Sequence, residues 1–287
     1  MSVDKLQEKI RKAKNPTLVD LTISANLLPP SLLEQEGSAV KGWGKYALEL
    51  MEGLKGIIPA VRFNFSAYAL YGGDGLNLLN FLMNRAKELG FYVLLDSVES
   101  LSPQAAETAA EELFGWNCDG LVVSAYIGSD GVKPYVKKLK ETGKSLFVVL
   151  RTANKSAPEL QDLMTGSRLV YVAAADMINR LGEPLLAKCG YHQVCGVGPA
   201  SSADALRALR SKYPRIFLLV EGYDYPNANA KNCSLAFDKL GHGAAVCVGS
   251  TITGAWKEEG APEDYVLAAQ QAAERTKKNL TRYITIL

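Results

Sequence analysis

The chain has 287 residues, of which 48% are hydrophobic and 22% charged, with 32 Lys and Arg against 30 Asp and Glu. At about 150 residues per domain this length allows two domains, yet one α/β barrel of this size is equally ordinary. The hydrophobic content excludes disordered and fibrous classes, and a net charge of +2 gives no electrostatic reason to expect nucleic acid or an anionic membrane as a partner. Any active site must therefore create its own local field.

Short apolar runs recur along the whole chain. They are rich in β-branched or aromatic residues and lack the alternation of a half-exposed strand, which favours parallel strands buried on both faces. The predicted strands cover residues 17–23, 57–63, 91–96, 119–125, 145–150, 192–198, 215–220 and 244–249.

Segments of helical periodicity separate these strands. Two carry helix start signals, Ser102-Pro103 and Ser201-Ser202, with Pro103 suited to the first helical position. Residues 168–188, in the longest gap between strands, are predicted to form a helix pair, although their first residues could also form a strand. The other predicted helices cover residues 75–89, 103–115, 131–142, 158–165, 202–212 and 262–279.

The regular alternation of eight strands and helices predicts a (β/α)8 TIM barrel. The chain contains no linker or low-complexity tract, so we expect one domain over residues 1–287. A doubly wound open sheet is the alternative, but no predicted strand is followed by a GxGxxG or Walker loop.

The cysteines and the N-terminus indicate the compartment. Five cysteines form no CxxC pair, and with two histidines they make no recognisable zinc pattern. An odd cysteine count in a long chain is typical of reduced thiols. Residues 1–15 contain no signal-peptide core, and no apolar run reaches the roughly 18 residues of a membrane span. We therefore expect a soluble, cytoplasmic protein.

In a TIM barrel the chemistry lies at the carboxyl ends of the strands, which we call the mouth. Arg62 and Asp96 end neighbouring predicted strands, so we expect an ion pair there, either catalytic or structural. His192 begins one predicted strand and His242 precedes another, so both fall at the opposite end of the barrel. The candidate residues at the strand ends are Thr22, Arg62, Asn64, Asp96, Glu99, Ser124, Arg151, Thr152, Asn154, Glu221, Tyr223, Asp224, Ser250 and Thr251.

Short motifs along most of the chain resemble those of one known protein family. The strongest match is at residues 146–154, followed by 159–163, and weaker matches are at 59–62, 71–75, 90–96, 118–120 and 126–130. In order and spacing the chain resembles orotidine 5′-phosphate decarboxylase, particularly the longer bacterial subgroup, whose members have Ser in place of Ala153. Gly222 and residues 248–250 fall where that family binds phosphate.

The resemblance implies a TIM barrel, a homodimer with shared sites, and the last step of UMP synthesis without metal or organic cofactor. That reaction is difficult because loss of CO2 leaves negative charge on a ring carbon. The family stabilises this charge with a preorganised Lys-Asp-Lys-Asp array, in which one lysine protonates the carbanion. Binding of the remote phosphate also contributes to the chemical step.

The array is mostly absent from this chain. The resemblance places its first lysine at Arg62 and its first aspartate at Asp96, which makes these two the candidate catalytic residues. The second lysine, which donates the proton, falls on Val98, and the second aspartate, which serves the partner subunit, falls on Leu101. The aspartate of the family's first-strand motif falls on Thr22. An arginine keeps the positive charge but does not donate a proton near neutral pH.

The phosphate contacts differ as well. The family's strand-seven run corresponds to residues 221–226, which lack the phosphate-binding glutamine and add the carboxylates of Glu221 and Asp224. The Ser-Arg pair after strand eight reads Ser250-Thr251, so the phosphate-binding arginine is missing. A charge-assisted contact of this kind contributes roughly 1.5–3 kcal/mol.

The departures leave three functional hypotheses. The first is a member of the family that does not decarboxylate efficiently, a pseudoenzyme that binds another small molecule or has a regulatory role. The second is an enzyme of altered chemistry that acts on a neutral or cationic substrate through the carboxylates of Asp96, Glu99, Glu221 or Asp224. The third is a genuine decarboxylase whose lysine comes from another element, such as Lys133 or Lys155, because no lysine lies between Lys87 and Lys133.

Overall fold

Eight parallel strands of the described residues close into a barrel, and the first strand pairs with the last, Leu18 lying opposite Cys247. The computed structural model describes residues 1–96, 101–260 and 262–285. Closure of the sheet confirms the predicted TIM barrel and excludes the open doubly wound sheet. The strands are β1 (Thr17–Asp20), β2 (Ala60–Asn64), β3 (Tyr92–Asp96), β4 (Gly120–Ser124), β5 (Ser145–Val149), β6 (Val194–Pro199), β7 (Leu218–Glu221) and β8 (Ala244–Val248).

Helices cover the outside of the barrel and fill its connections. They are α1 (Ser2–Ala13), α2 (Pro30–Glu36), α3 (Ala39–Leu54), α4 (Phe65–Ala69), α5 (Gly72–Glu88), α6 (Pro103–Leu113), α7 (Ser129–Thr142), α8 (Val170–Gly182), α9 (Ala203–Lys212), α10 (Ala230–Ser234), α11 (Ser250–Thr253), α12 (Ala255–Glu259) and α13 (Tyr265–Thr281). Short 3-10 turns lie at Ala25–Leu27, Ala157–Glu159, Glu183–Leu185 and Pro262–Asp264. None of the described helices is long and apolar enough to span a membrane.

The amino-terminal helix α1 closes the end of the barrel opposite the mouth. Its apolar side chains Val3, Leu6 and Ile10 are at most 1% exposed and pack in one cluster with barrel-interior residues such as Tyr92 and Phe217. Ser2 strengthens this contact, because its Oγ donates a hydrogen bond of 2.6 Å to the carbonyl of Asp119. The apolar residues of α1 are therefore explained by burial against the barrel.

The helix start signals are confirmed. The Ser102 hydroxyl accepts a hydrogen bond of 3.1 Å from the amide of Ala105, and the Ser202 hydroxyl accepts one of 3.3 Å from Ala205. Each serine satisfies an amide that the first helical turn leaves without an intrahelical partner.

The connection between β5 and β6 differs from the prediction. The expected helix at 158–165 is wrong, because these residues form the end of a 3-10 turn and then a two-residue strand, Met164–Thr165, paired antiparallel with Arg168–Leu169. The predicted helix pair at 168–188 is α8 followed by a single 3-10 turn. The helical periodicity of this segment gave the wrong prediction because a tertiary hydrogen bond holds it in a loop. The amide of Thr152, just after β5, donates that bond to the side chain of Gln161.

The first strand is shorter than predicted, and this changes the site. β1 ends at Asp20, which lies opposite Arg62 of β2, so Thr22 is beyond the strand. The Thr22 hydroxyl instead donates a hydrogen bond of 2.5 Å to Oδ1 of Asp20. Asp20, and not Thr22, therefore carries the side chain that ends β1 and lies opposite Arg62.

Candidate active site at the barrel mouth

The centre of the mouth is an arginine held by three carboxylates. Arg62 Nη1 donates a hydrogen bond of 3.0 Å to Oδ2 of Asp20, and its Nη2 donates one to Oδ2 of Asp96. Nη2 also lies 3.4 Å from Oε1 of Glu221. The Arg62 side chain is only 13% exposed. The expected pair of Arg62 and Asp96 is therefore present, but within a larger cluster that joins four strands.

The electrostatics of this cluster keep the guanidinium charged. Burial by itself lowers the pKa of Arg62, but the charges of Glu221, Asp20 and Asp96 outweigh it and hold that pKa well above its ordinary value. For Glu221, burial is the largest cause and raises its pKa, Arg62 lowers it, and the neighbouring charges of Asp96 and Asp20 raise it further. One positive charge thus faces three acidic groups, and the cluster favours an additional positive charge.

One polar residue, Asn64, supports this cluster. Asn64 Nδ2 donates a hydrogen bond of 2.7 Å to Oδ2 of Asp96, and its Oδ1 accepts one of 2.8 Å from the amide of Ala67 at the start of α4. Asn64, predicted to bind a substrate, is therefore placed to fix the Asp96 carboxylate.

A cavity of about 650 Å³ opens above the arginine cluster. This volume lies within the range of small-molecule sites, and the position is the usual one for a TIM barrel. The cavity contains seven of the predicted site residues. Its lining is Asp20, Arg62, Thr152, Ala153, Asn154, Glu221, Gly222, Asp224, Tyr225, Cys247, Gly249 and Ser250.

One side of the cavity is closed by a carboxylate of the chain itself. Oδ2 of Asp224 accepts a hydrogen bond of 2.7 Å from the amide of Gly249, and its Oδ1 accepts one of 2.8 Å from the amide of Thr251. These amides lie at the end of β8, where residues 248–250 resemble a phosphate-binding segment. Two convergent backbone N–H groups are suited to an anion, and here Asp224 is that anion. The amide of Thr251, and not its side chain, takes part.

The turn that presents Asp224 requires a glycine at its start. Gly222 has φ +80°, and a Cβ there would lie 2.3 Å from Cβ of Ala153 and 2.6 Å from the ring of Tyr225. Both the backbone conformation and the close approach to the β5 loop exclude larger residues. Gly222 thus lets the loops after β5 and β7 meet at the cavity wall.

The loop after β5 is fixed by an internal hydrogen-bond network. The amide of Thr152 donates a hydrogen bond of 2.8 Å to Gln161, and the Thr152 hydroxyl donates one of 2.5 Å to Oδ1 of Asn154. Arg151 is 7% exposed and bonds Asp162 through Nε and Nη2 at 2.7 and 2.8 Å. Its hydrogen bond raises the pKa of Arg151 and lowers that of Asp162. Arg151, predicted to bind a ligand, is therefore a loop anchor outside the cavity lining.

The remaining predicted site residues lie in a second cavity, against the hydrophobic core, or outside the described part of the chain. Ser124 lines a more apolar cavity of about 440 Å³ beside the first, and its hydroxyl accepts a hydrogen bond from the amide of Tyr126. Tyr223 is half-buried against the hydrophobic core, and burial raises its pKa. Glu99 and Val98 lie outside the described residues.

Sequence reasoning missed three residues of the cavity wall. Asp20 was missed because the predicted first strand extended to residue 23, whereas the observed strand ends at Asp20. The aspartate within that apolar run was the available signal for the earlier strand end. Cys247 points from β8 toward the arginine, with Sγ 4.0 Å from Nη1 of Arg62. Tyr225 follows the turn at Gly222 and is 51% exposed. Neither has a local sequence signal, since only barrel closure places them at the mouth.

Comparison with known proteins gives a consistent result. The family model described as orotidine 5′-phosphate decarboxylase / HUMPS family matches residues 65–265, more than half of the chain. The orotidine 5′-phosphate decarboxylase of Rhodopirellula baltica is 26% identical over 267 residues, with 88% of each chain covered. That of Clostridium novyi is 23% identical, with 98% of each covered.

A solved structure agrees in fold. Leishmania donovani OMP decarboxylase superposes with a TM-score of 0.74 at 21% identity, covering 98% of both chains. At this identity the superposition shows the shared barrel and not the activity. The family model spans the strands that carry Asp96, Glu221 and the amides at the end of β8. The chain belongs to the orotidine 5′-phosphate decarboxylase / HUMPS family.

Proposed function

We propose that this chain is a family member that does not decarboxylate orotidine 5′-phosphate efficiently and binds a different small molecule at its barrel mouth. The observation that carries the proposal is the state of Arg62. The resemblance assigns it the position of the family's first lysine, and its guanidinium pairs with Asp20, Asp96 and Glu221. Because its pKa is held well above the ordinary value, it does not supply a proton near neutral pH.

The residues that could replace the missing proton donor are poorly placed. Lys133 lies on α7, is 59% exposed and pairs with Asp130 at 3.4 Å. Lys155 is exposed in the loop after β5. Within the described residues, no lysine lines the cavity above Arg62. A positioned proton donor supplies about 10²–10⁴ in rate, so its loss supports very slow decarboxylation.

The position of Asp224 supports the same proposal, because it opposes binding of the substrate's phosphate group. Phosphate binding to the Gly249 and Thr251 amides would require Asp224 to leave them. The Asp224 carboxylate would also repel a phosphate that approached. Weak phosphate binding removes the remote binding energy on which the chemical step depends.

The test is a direct ultraviolet assay of orotidine 5′-phosphate decarboxylation at high protein concentration, with the thermal shift by UMP measured on the same sample. We expect no turnover above background and no stabilisation by UMP. The control is the Asp96→Ala variant, which separates true turnover from contamination. Turnover that disappears in Asp96→Ala would overturn the proposal and indicate a substitute proton donor.

The proposal includes a homodimer. Leu101 and Tyr126, in the loops after β3 and β4, are 74% and 73% exposed, and association through these loops would remove their apolar surface from water. Light scattering during gel filtration measures the mass directly. We expect about twice the 31.0 kDa of one chain, and a monomer after Leu101→Glu with Tyr126→Glu. A monomeric unaltered protein contradicts this part of the proposal.

A further inference from the structure

The mouth cavity has a charge opposite in sign to that of the whole chain. The chain carries a formal net charge of +2. The cavity lining contains the acidic groups of Asp20, Glu221 and Asp224 and one basic group, that of Arg62. Asp96 adds a fourth carboxylate, which pairs with the same guanidinium. A concave site lined by one sign of charge concentrates ligands of the other sign. The local field therefore favours a cation.

Glu221 is the least satisfied of these carboxylates. It lines the cavity, yet neither of its side-chain oxygens accepts a hydrogen bond from the described residues, and its Oε1 is buried without a hydrogen-bond partner. Arg62 is close enough for charge attraction but directs its hydrogen bonds to Asp20 and Asp96. The Glu221 side chain is 21% exposed, so a ligand N–H group in the cavity would reach its other oxygen, Oε2, and give this carboxylate a hydrogen-bond donor.

The opposite wall adds two features that select the same ligand. Asp224 occupies the amides of Gly249 and Thr251, so an anionic group would have to displace this carboxylate from both donors. Tyr225, which is 51% exposed, places an aromatic ring on the cavity wall. The face of such a ring attracts organic cations.

We propose that Glu221 and Asp224 determine the ligand specificity of this cavity, selecting a small organic cation that lacks phosphate or carboxylate. The inference rests on the proposed function, because it concerns the same mouth. Glu221 accepts the ligand's ammonium or amidinium N–H, Tyr225 covers its apolar part, and Asp224 rejects anionic groups. A cavity of about 650 Å³ admits a ligand of one substituted ring.

The test compares three probes of nearly equal size by calorimetry and thermal shift: benzylamine, benzyl alcohol and benzoate, with inorganic phosphate as a fourth. We expect benzylamine to bind about tenfold or more tightly than benzyl alcohol, the ratio that one charge-assisted hydrogen bond supplies. Benzoate and phosphate should not bind. Absence of benzylamine binding, equal binding of the alcohol, or binding of either anion to the unaltered protein overturns the proposal.

Two variants test the residues separately. Glu221→Gln should bring benzylamine and benzyl alcohol to similar affinity, whereas Asp224→Ala should allow phosphate to bind. Asp204→Asn is the control for lost charge, since Asp204 is 92% exposed on α9, and it should keep the original selectivity. If Glu221→Gln fails to fold, Asp224→Ala still decides the exclusion of anions. UMP binding or turnover would overturn the proposed function, whereas absence of both UMP and benzylamine binding overturns only this inference.

Discussion

Arg62 donates a hydrogen bond through Nη2 to Oδ2 of Asp96, across the two neighbouring strands β2 and β3. The same guanidinium reaches Asp20 of β1 and Glu221 of β7. One side chain thus fixes four strand ends at the mouth. In a relative with lysine at this position the contact would be a single ammonium, whereas the planar guanidinium divides its donors between carboxylates.

We expect Arg62→Ala to lower the free energy of unfolding by about 3–5 kcal/mol, because it leaves largely buried carboxylates without their partner. Urea unfolding at pH 7 measures the change. The control is Arg85→Ala, whose guanidinium is 35% exposed and pairs with Glu88 and Glu52. Exposed pairs contribute about 0–1 kcal/mol, so equal losses in the two variants would contradict a central role for Arg62.

The buried carboxyl group of Glu221 predicts that the stability of the protein depends on pH. The pKa of Glu221 is raised in the folded protein, chiefly by burial. Its contribution to stability is therefore fully present below the pKa of an unfolded glutamate, about 4.3, and is lost as the pH rises through the folded pKa. We expect Glu221→Gln to be more stable than the unaltered protein at pH 7, with the difference narrowing toward pH 4.

Urea unfolding of both proteins between pH 4 and 8 measures this difference, with Glu159→Gln, an exposed residue, as the control. A difference that widens toward low pH would show that the charged form of Glu221 is the stabilised one. Glu221 is also one of the carboxylates that could act as acid or base in the hypothesis of an altered reaction. Its titration would show the pH range in which it could take that role.

The closure of the barrel by α1 predicts a large effect of one leucine. Leu6 is 1% exposed in the cluster that fills this end of the barrel. Leu6→Ala should lower the free energy of unfolding by about 2–5 kcal/mol, since it removes buried apolar atoms and leaves a cavity. Leu267→Ala, at a position 51% exposed on α13, should change it by about 0.5 kcal/mol or less. Thermal unfolding distinguishes the two, and a small effect at Leu6 would mean that α1 detaches readily.

The hydrogen bonds of Asp224 to the amides of Gly249 and Thr251 predict which substitutions are needed to restore UMP binding. The substitutions Arg62→Lys, Val98→Lys and Thr251→Arg restore the charges that the family resemblance assigns. We expect this triple variant to gain little UMP affinity until Asp224→Ala frees the amides of Gly249 and Thr251. Calorimetric titration of both variants with UMP compares them. Tight binding by the triple variant alone would show that Asp224 is easily displaced, and no gain in either would contradict the alignment of the site.

The local sequence predicted the framework well. Each predicted strand overlaps an observed one, because a parallel strand buried on both faces must be apolar along its length. The serine helix starts are confirmed because a capping hydroxyl acts on amides two or three residues away. The loop after β5 was predicted incorrectly because its conformation depends on hydrogen bonds of Arg151 and Thr152 to residues about ten positions on.

The sequence by itself determined the barrel, the family, and the presence of Arg62 and Asp96 on neighbouring strands. Only the tertiary structure decided that Asp20 and Glu221 join them and that Asp224 fills the amides after β8. The reason is physical: these contacts join residues of different strands and loops, and Arg62 of β2 reaches Glu221 of β7 only because β1 pairs with β8 and closes the barrel. Charge balance at the mouth is thus a property of the closed barrel.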